Sequence, residues 1–231
     1  MVGKAPSKMD LVFIVDCSTT IDDSDWHIMT DFVRTIIGSV DIGPDGVHVG
    51  LVRFSKTANV EFYLIDHMNG NALKERVGNI ARIEVREGTN ITDGLIQANI
   101  LVFNAVNGAR NDVPWVAIVL TDGRGNENVS NTLPMAAKLK LRNVTIITVG
   151  ITQHVDTNML SKISSDNRMM TSPNCGRLFR FLPGATSAYV VGRRIIVSSS
   201  APYVRTSIAG KHAIFVLDCQ EIFLDDLDIS D

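Results

Sequence analysis

Five oxygen-bearing side chains stand at the ends of apolar segments or in the loops between them. Asp16, Ser18 and Thr20 alternate within Asp16-Cys17-Ser18-Thr19-Thr20, directly after the unbroken apolar run Leu11-Val12-Phe13-Ile14-Val15. Such a run reads as a strand buried on both faces of a parallel sheet. Asp122 follows a second run, Val116-Ala117-Ile118-Val119-Leu120, and Thr89 lies in the loop Gly88-Thr89-Asn90 ahead of a helical segment. A carboxylate and hydroxyls just past a strand end sit where open α/β folds place their sites. Oxygen-only ligation suits a hard divalent cation, Mg²⁺ first, with Mn²⁺ or Ca²⁺ as alternatives. Two carboxylates and three hydroxyls at one place are costly unless a cation neutralises them.

The rest of the chain supplies the frame. Helical spacing of Trp26, Met29, Val33, Ile36, Ile37 and Val40, with Ser24 or Asp25 as N-cap, predicts a helix after the first strand. Strands are expected over 47–54, 59–64, 116–120, 144–150 and 177–181, and helices over 73–80, 91–105, 133–141, 159–163 and 185–196. Strands alternating with helices predict an α/β fold: a doubly wound, mostly parallel sheet, helices on both faces, with one antiparallel edge from the 47–64 pair. In that arrangement the tips carrying Asp16, Thr89 and Asp122 share one edge. No glycine-rich phosphate loop follows the first strand, so dinucleotide binding is not expected.

The chain has 231 residues, 45% hydrophobic and 20% charged, with a formal net charge of −3. That balance argues against a nucleic-acid footprint, which is normally basic. Three cysteines make no disulfide framework: Cys17 reads as a buried small hydrophobe, and pairing of Cys175 with Cys219 stays open. No apolar run approaches the roughly 20 residues of a membrane span. Met1-Val2-Gly3-Lys4-Ala5-Pro6 leads almost directly into the first strand without a signal-peptide pattern. After 197, Ser198-Ser199-Ser200-Ala201-Pro202 reads as a linker. Residues 213–219 echo 11–17, by chance similarity of apolar strands or as the start of a truncated second copy. The expected organisation is an extension over 1–9, a domain over 10–197 and a second extension over 198–231.

On the motifs Asp16-Cys17-Ser18-Thr19-Thr20, Gly88-Thr89-Asn90 and Leu120-Thr121-Asp122-Gly123, the chain resembles the von Willebrand factor type A domain, with its metal-ion-dependent adhesion site. Asp41-Ile42-Gly43-Pro44-Asp45-Gly46-Val47-His48-Val49-Gly50 and Val52-Arg53-Phe54-Ser55 are similar to the A domains of matrilins and non-fibrillar collagens. The resemblance implies a Rossmann-like fold in which Ser18, Thr20 and Thr89 bind the metal directly and Asp16 and Asp122 act mainly through water. It implies a vacant coordination position for a partner's Glu or Asp, a matrix or adhesion partner such as collagen, and recognition without catalysis. It also implies a last helix, here 185–196, that shifts when ligand binds, and an extracellular location, with a cytoplasmic one as alternative. Thr20 stands where Ser is commoner in the family, and Thr19 where Gly is usual.

Other readings are weaker. A phosphatase of the haloacid-dehalogenase type needs a second Asp two residues after the first, where Ser18 stands here, so no general acid is in place. A metal-independent or intracellular scaffold in a multiprotein assembly is the remaining alternative. Three Asn-x-Ser/Thr sequons, at Asn90, Asn128 and Asn143, matter only in a secreted chain.

Overall fold

A computed structural model describes residues 8–82, 88–151 and 155–165 in full, and the backbone of 169–171, 185–191, 194–199, 206–208 and 211–213. Its centre is a six-stranded sheet. The strands are β1 (Met9–Asp16), β2 (Val47–Phe54), β3 (Ala58–Phe62), β4 (Trp115–Thr121), β5 (Val144–Gly150) and β6 (Met169–Thr171), in the order β3-β2-β1-β4-β5-β6. All neighbours are parallel except β2 and β3, whose antiparallel pairing shifts register between Leu51 and Val52. This is the expected doubly wound α/β arrangement with one antiparallel edge.

The pleat of β1 sorts the core into two halves. Leu11, Phe13 and Val15 face one apolar cluster, and Val12 and Ile14 the other. The first cluster takes Trp26, Met29, Val33, Ile36 and Ile37 from α1 (Asp23–Ser39), and Leu73 and Val77 from α2 (Gly70–Gly78). The second takes Ile91 and Leu95 from α3 (Ile91–Gln97), Leu139 from α4 (Thr132–Leu141), and Ile163 from α5 (Thr157–Ile163). Helices α1, α2, α3 and α5 start on side-chain caps. Asp22, rather than the expected Ser24 or Asp25, caps α1 by accepting from the Asp25 N–H, and Asn69 caps α2 through the N–H groups of Asn71 and Ala72.

The chain runs from β1 outward to β2 and β3, then returns to place β4 on the other side of β1. The crevice beyond the carboxyl ends of β1 and β4 is therefore the topological switch point, where such sheets bind ligands. Cys17 N–H donates to Phe54 O at 2.7 Å, which holds the chain leaving β1 against the end of β2.

The sequence reading departs from the structure in two helices. The helix expected over 91–105 ends at Gln97, continues as one wider turn over Ala98–Val102, and is followed by a short 3-10 turn at Ala105–Asn107. The helix expected over 185–196 is instead an antiparallel pair, β7 (Ala185–Val191) and β8 (Arg194–Ser199). The β-branched and aromatic residues Thr186, Tyr189, Val190, Val191, Ile195, Ile196 and Val197 favour extended backbone, so a ligand-driven helix shift has no helix to act on there. The sheet's last strand is Met169–Thr171, and the strand expected over 177–181 lies outside the described residues. So do Cys175, Cys219 and the echo over 214–219. In the segment after 198, β9 (Thr206–Ile208) and β10 (Lys211–Ala213) form a small antiparallel pair.

Candidate metal centre

Asp16 is the last residue of β1 and is fully buried. One carboxylate oxygen accepts the Ser18 N–H at 2.9 Å, and the other accepts the Thr121 hydroxyl at 2.6 Å. Burial pushes the Asp16 carboxyl up to about 6 against these hydrogen bonds, and the charge of Asp122 adds to the rise. Beyond it the chain turns tightly, with Ile21 N–H donating to Ser18 O at 3.1 Å, before Asp22 caps α1. This turn brings Ser18 Oγ and Thr20 Oγ1 to 2.9 Å from each other. Ser18 is buried and Thr20 is exposed.

Asp122 follows β4, with its side chain buried. One oxygen accepts the Arg124 N–H at 2.9 Å, and its carbonyl accepts the Asp156 N–H at 2.8 Å. The turn needs Gly123, which has φ 78 and donates its N–H to Thr121 Oγ1 at 3.1 Å. Thr89, also buried, is clamped from two sides. Its N–H donates to Asn126 Oδ1 at 2.7 Å, its carbonyl accepts the Asn126 and Glu127 N–H groups at 3.0 and 3.3 Å, and the next N–H, of Asn90, donates to Ser55 O at 2.7 Å. Direct hydrogen bonds thus join Asp16, Ser18 and Thr20. Asp122 is coupled to Asp16 through charge, and Thr89 is tied through Asn126 to the loop after Asp122.

Three participants escaped the sequence reading. Thr121 lies inside a quoted motif but reads as a strand residue; its hydroxyl on Asp16 links β4 to β1. Asn126 carries no motif signal, yet its side chain fixes Thr89. Asp25, in the first turn of α1, is raised above its ordinary value by partial burial and by the charges of Asp22 and Asp122, so it borders the same acidic crevice. Thr19, at a position usually Gly in the family, is not strained: among the described residues only Asn128 and Asn143 have positive φ without being glycine.

These residues fit a divalent cation on two grounds. Neither Asp16 nor Asp122 has an ion-pair partner among the described residues, so two buried, charge-coupled acids lie without a counter-charge. Two ligands at right angles on Mg²⁺, each about 2.0–2.1 Å away, lie about 2.9 Å apart, and the Ser18 and Thr20 hydroxyl oxygens already have that separation. Among the described residues no three His, Cys, Asp or Glu side chains are placed to hold a metal ion together, so hydroxyls must make up the rest of any ligand set.

Fold and site together define an open α/β domain with a hydroxyl-rich acidic crevice at its switch point. The family model for the von Willebrand factor type A domain matches residues 10–179, and the chain belongs to that family. It is 30% identical to mouse Matrilin-2 over 162 residues, covering 69% of this chain and 16% of that protein. It is 30% identical to chicken Matrilin-1 over 164 residues, covering 71% and 32%, and 30% identical to human Collagen alpha-5(VI) chain over 142 residues, covering 62% and 5%. The chain thus spans a third or less of the length of these relatives. Among solved structures, proximal thread matrix protein 1 from the mussel byssus with a zinc-occupied MIDAS motif superposes with TM-score 0.66 at 25% identity, covering 74% of this chain and 45% of that one. Manganese-loaded TRAP protein of Plasmodium vivax shares the fold at TM-score 0.63 and 18% identity, covering 89% and 84%.

Proposed function

We propose that this chain is a metal-dependent protein-binding module of extracellular matrix type, in which Asp16, Ser18, Thr20, Thr89 and Asp122 hold a divalent cation, Mg²⁺ in the first instance. The observation that carries the reading is the pair of hydroxyls 2.9 Å apart beside two buried, uncompensated carboxylates. Likeness to matrilins and a collagen VI chain supports an extracellular setting and a matrix partner such as collagen. The binding unit is taken as residues 10–197, flanked by 1–9 and 198–231.

A bound cation supplies a Lewis-acidic position for an acidic side chain of the partner. The protein's own residues do the rest. Ser18 and Thr20 offer neutral oxygens, which leave positive charge uncancelled for the partner's carboxylate. Asp16 orients the Ser18 backbone, and Thr121 fixes Asp16 in turn. Asn126 ties the Thr89 loop to the loop that follows Asp122. Binding without catalysis accords with the state of Asp16: both of its oxygens accept hydrogen bonds and it has no exposed surface from which to attack a substrate.

Titration calorimetry with Mg²⁺ on the purified chain tests the reading. We expect one site, abolished by Asp122→Ala and weakened at least tenfold by Thr20→Val, which removes the hydroxyl but keeps the branched shape. Capture of a collagen by the chain should be lost in EDTA. Binding that survives both EDTA and Asp122→Ala would replace this reading with that of a metal-independent scaffold.

A further inference from the structure

The fold treats the three sequons differently. The amide of Asn90 is engaged at both ends: Oδ1 accepts the Asp93 N–H at 3.0 Å as the cap of α3, and Nδ2 donates to Lys56 O at 3.3 Å. It also adjoins Thr89 in the candidate centre. Asn128 is exposed, but its loop is part of the site's wall. Its carbonyl accepts the Thr92 hydroxyl at 2.9 Å, its Oδ1 accepts Asn131 Nδ2 at 2.6 Å, and the two residues before it hold Thr89.

Asn143 shares the exposure and left-handed backbone of Asn128 but not its tie to the site. It lies in the exposed turn between α4 and β5 with φ 61, a left-handed conformation that Asn tolerates well. Its side-chain amide makes no hydrogen bond among the described residues. Thr145, the sequon hydroxyl, is partly exposed on β5. Val144 pairs with Trp115 at the entry of β4, so Asn143 sits at the amino edge of the sheet, opposite the crevice that follows β4. Apolar surface is exposed nearby: Leu141 is 84% exposed, and Arg142 reaches Asn99 Oδ1 at 2.6 Å, next to Ile100 at 55%. A hydrophilic glycan here would cover that surface and leave the binding edge open.

We propose that Asn143 carries an N-linked glycan and that Asn90 does not. The proposal rests on the extracellular part of the function reading, because the modification occurs on secreted chains. In the transfer, Asn143 Nδ2 attacks the anomeric carbon of a lipid-pyrophosphate-linked oligosaccharide. A C–N bond forms and the C–O bond to pyrophosphate breaks. The lipid pyrophosphate leaves with that electron pair, and the amide proton passes to a base of the transferase. No oxidant or reductant is involved.

The test expresses the full chain behind a cleavable leader in a eukaryotic secretory line. Peptide-N-glycosidase in ¹⁸O-water then converts each glycosylated Asn to a labelled Asp, read by peptide mass spectrometry. Label is expected at residue 143 and absent at residue 90. Asn143→Gln should remove the corresponding glycan mass, and Thr145→Ala should do the same while leaving Asn143 in its left-handed turn. Asn90→Gln should remove none. Unlabelled residue 143 in the secreted chain, or label at residue 90, overturns the proposal. Mg²⁺ calorimetry on the same deglycosylated preparation separates the two readings: an unlabelled residue 143 with intact Mg²⁺ binding refutes only the glycan, and a labelled one without Mg²⁺ binding refutes only the metal site.

Discussion

Asp16 concentrates the electrostatics of the crevice at a single residue. Its carboxyl rises to about 6 from an ordinary value of 3.8, because burial outweighs the hydrogen bonds from Thr121 and Ser18. A carboxyl raised in the folded state favours folding while it is protonated. That contribution is fully present below about pH 4 and is lost as pH climbs through about 6. The shift corresponds to about 3 kcal/mol. The melting temperature of the cation-free protein should therefore fall between pH 4.5 and 7, and Asp16→Asn should flatten that fall. Added Mg²⁺ should offset it most at the upper end of the range, where the carboxylate is ionised. If Asp16→Asn left the pH slope unchanged, Asp16 would not be the titrating group.

Among the elements, α3 decides where Thr89 sits, and it lies unusually close to the sheet. A Cβ on Gly94 would meet Ile14 Cγ2 at 2.9 Å and the Phe54 ring at 3.0 Å, both buried atoms with little room to move. Gly94→Ala gains helix propensity of up to about 1 kcal/mol but overpacks the contact, at a cost of about 1–3 kcal/mol. We expect net destabilisation in urea unfolding, together with weaker Mg²⁺ binding as α3 lifts and carries the Thr89 loop with it. Equal or higher stability would mean the helix has slack.

The same scale shows what could be read in advance. β1, β2, β4 and β5 were legible because strands buried on both faces are unbroken apolar runs, and the ligand candidates were legible because they stand at the ends of those runs. Thr121 and Asn126 were not, since their roles come from hydrogen bonds to Asp16 and Thr89 across 105 and 37 residues of sequence. The 185–196 segment was misjudged for a different reason: apolar residues in a short window fit helical spacing as well as a strand, and its β-branched content was the discriminating signal.

At the scale of the whole molecule, the sheet separates two charged poles. At the entry of β1, Asp10 is fully buried. It accepts the Arg110 N–H at 2.6 Å and Arg110 Nε at 2.8 Å, while Arg110 Nη2 donates to Met9 O at 2.8 Å and Gly46 O at 3.0 Å. One guanidinium thus ties the start of β1 to the loop before β2 and the loop before β4. The candidate centre lies at the other end of β1, six residues on, or about 20 Å at the rise of a strand. Asp10→Ala leaves Arg110 without its carboxylate and should cost about 3–5 kcal/mol. Mg²⁺ at a hundred times its dissociation constant should add about 2.7 kcal/mol by linkage. Sites this far apart without shared partners add independently to within about 0.5 kcal/mol, so Mg²⁺ should stabilise Asp10→Ala as much as the parent chain, with an unchanged dissociation constant. A markedly smaller stabilisation would show that the two ends of the sheet are coupled, and that β1 transmits strain from the Asp10 pole to the ligand turn at Ser18.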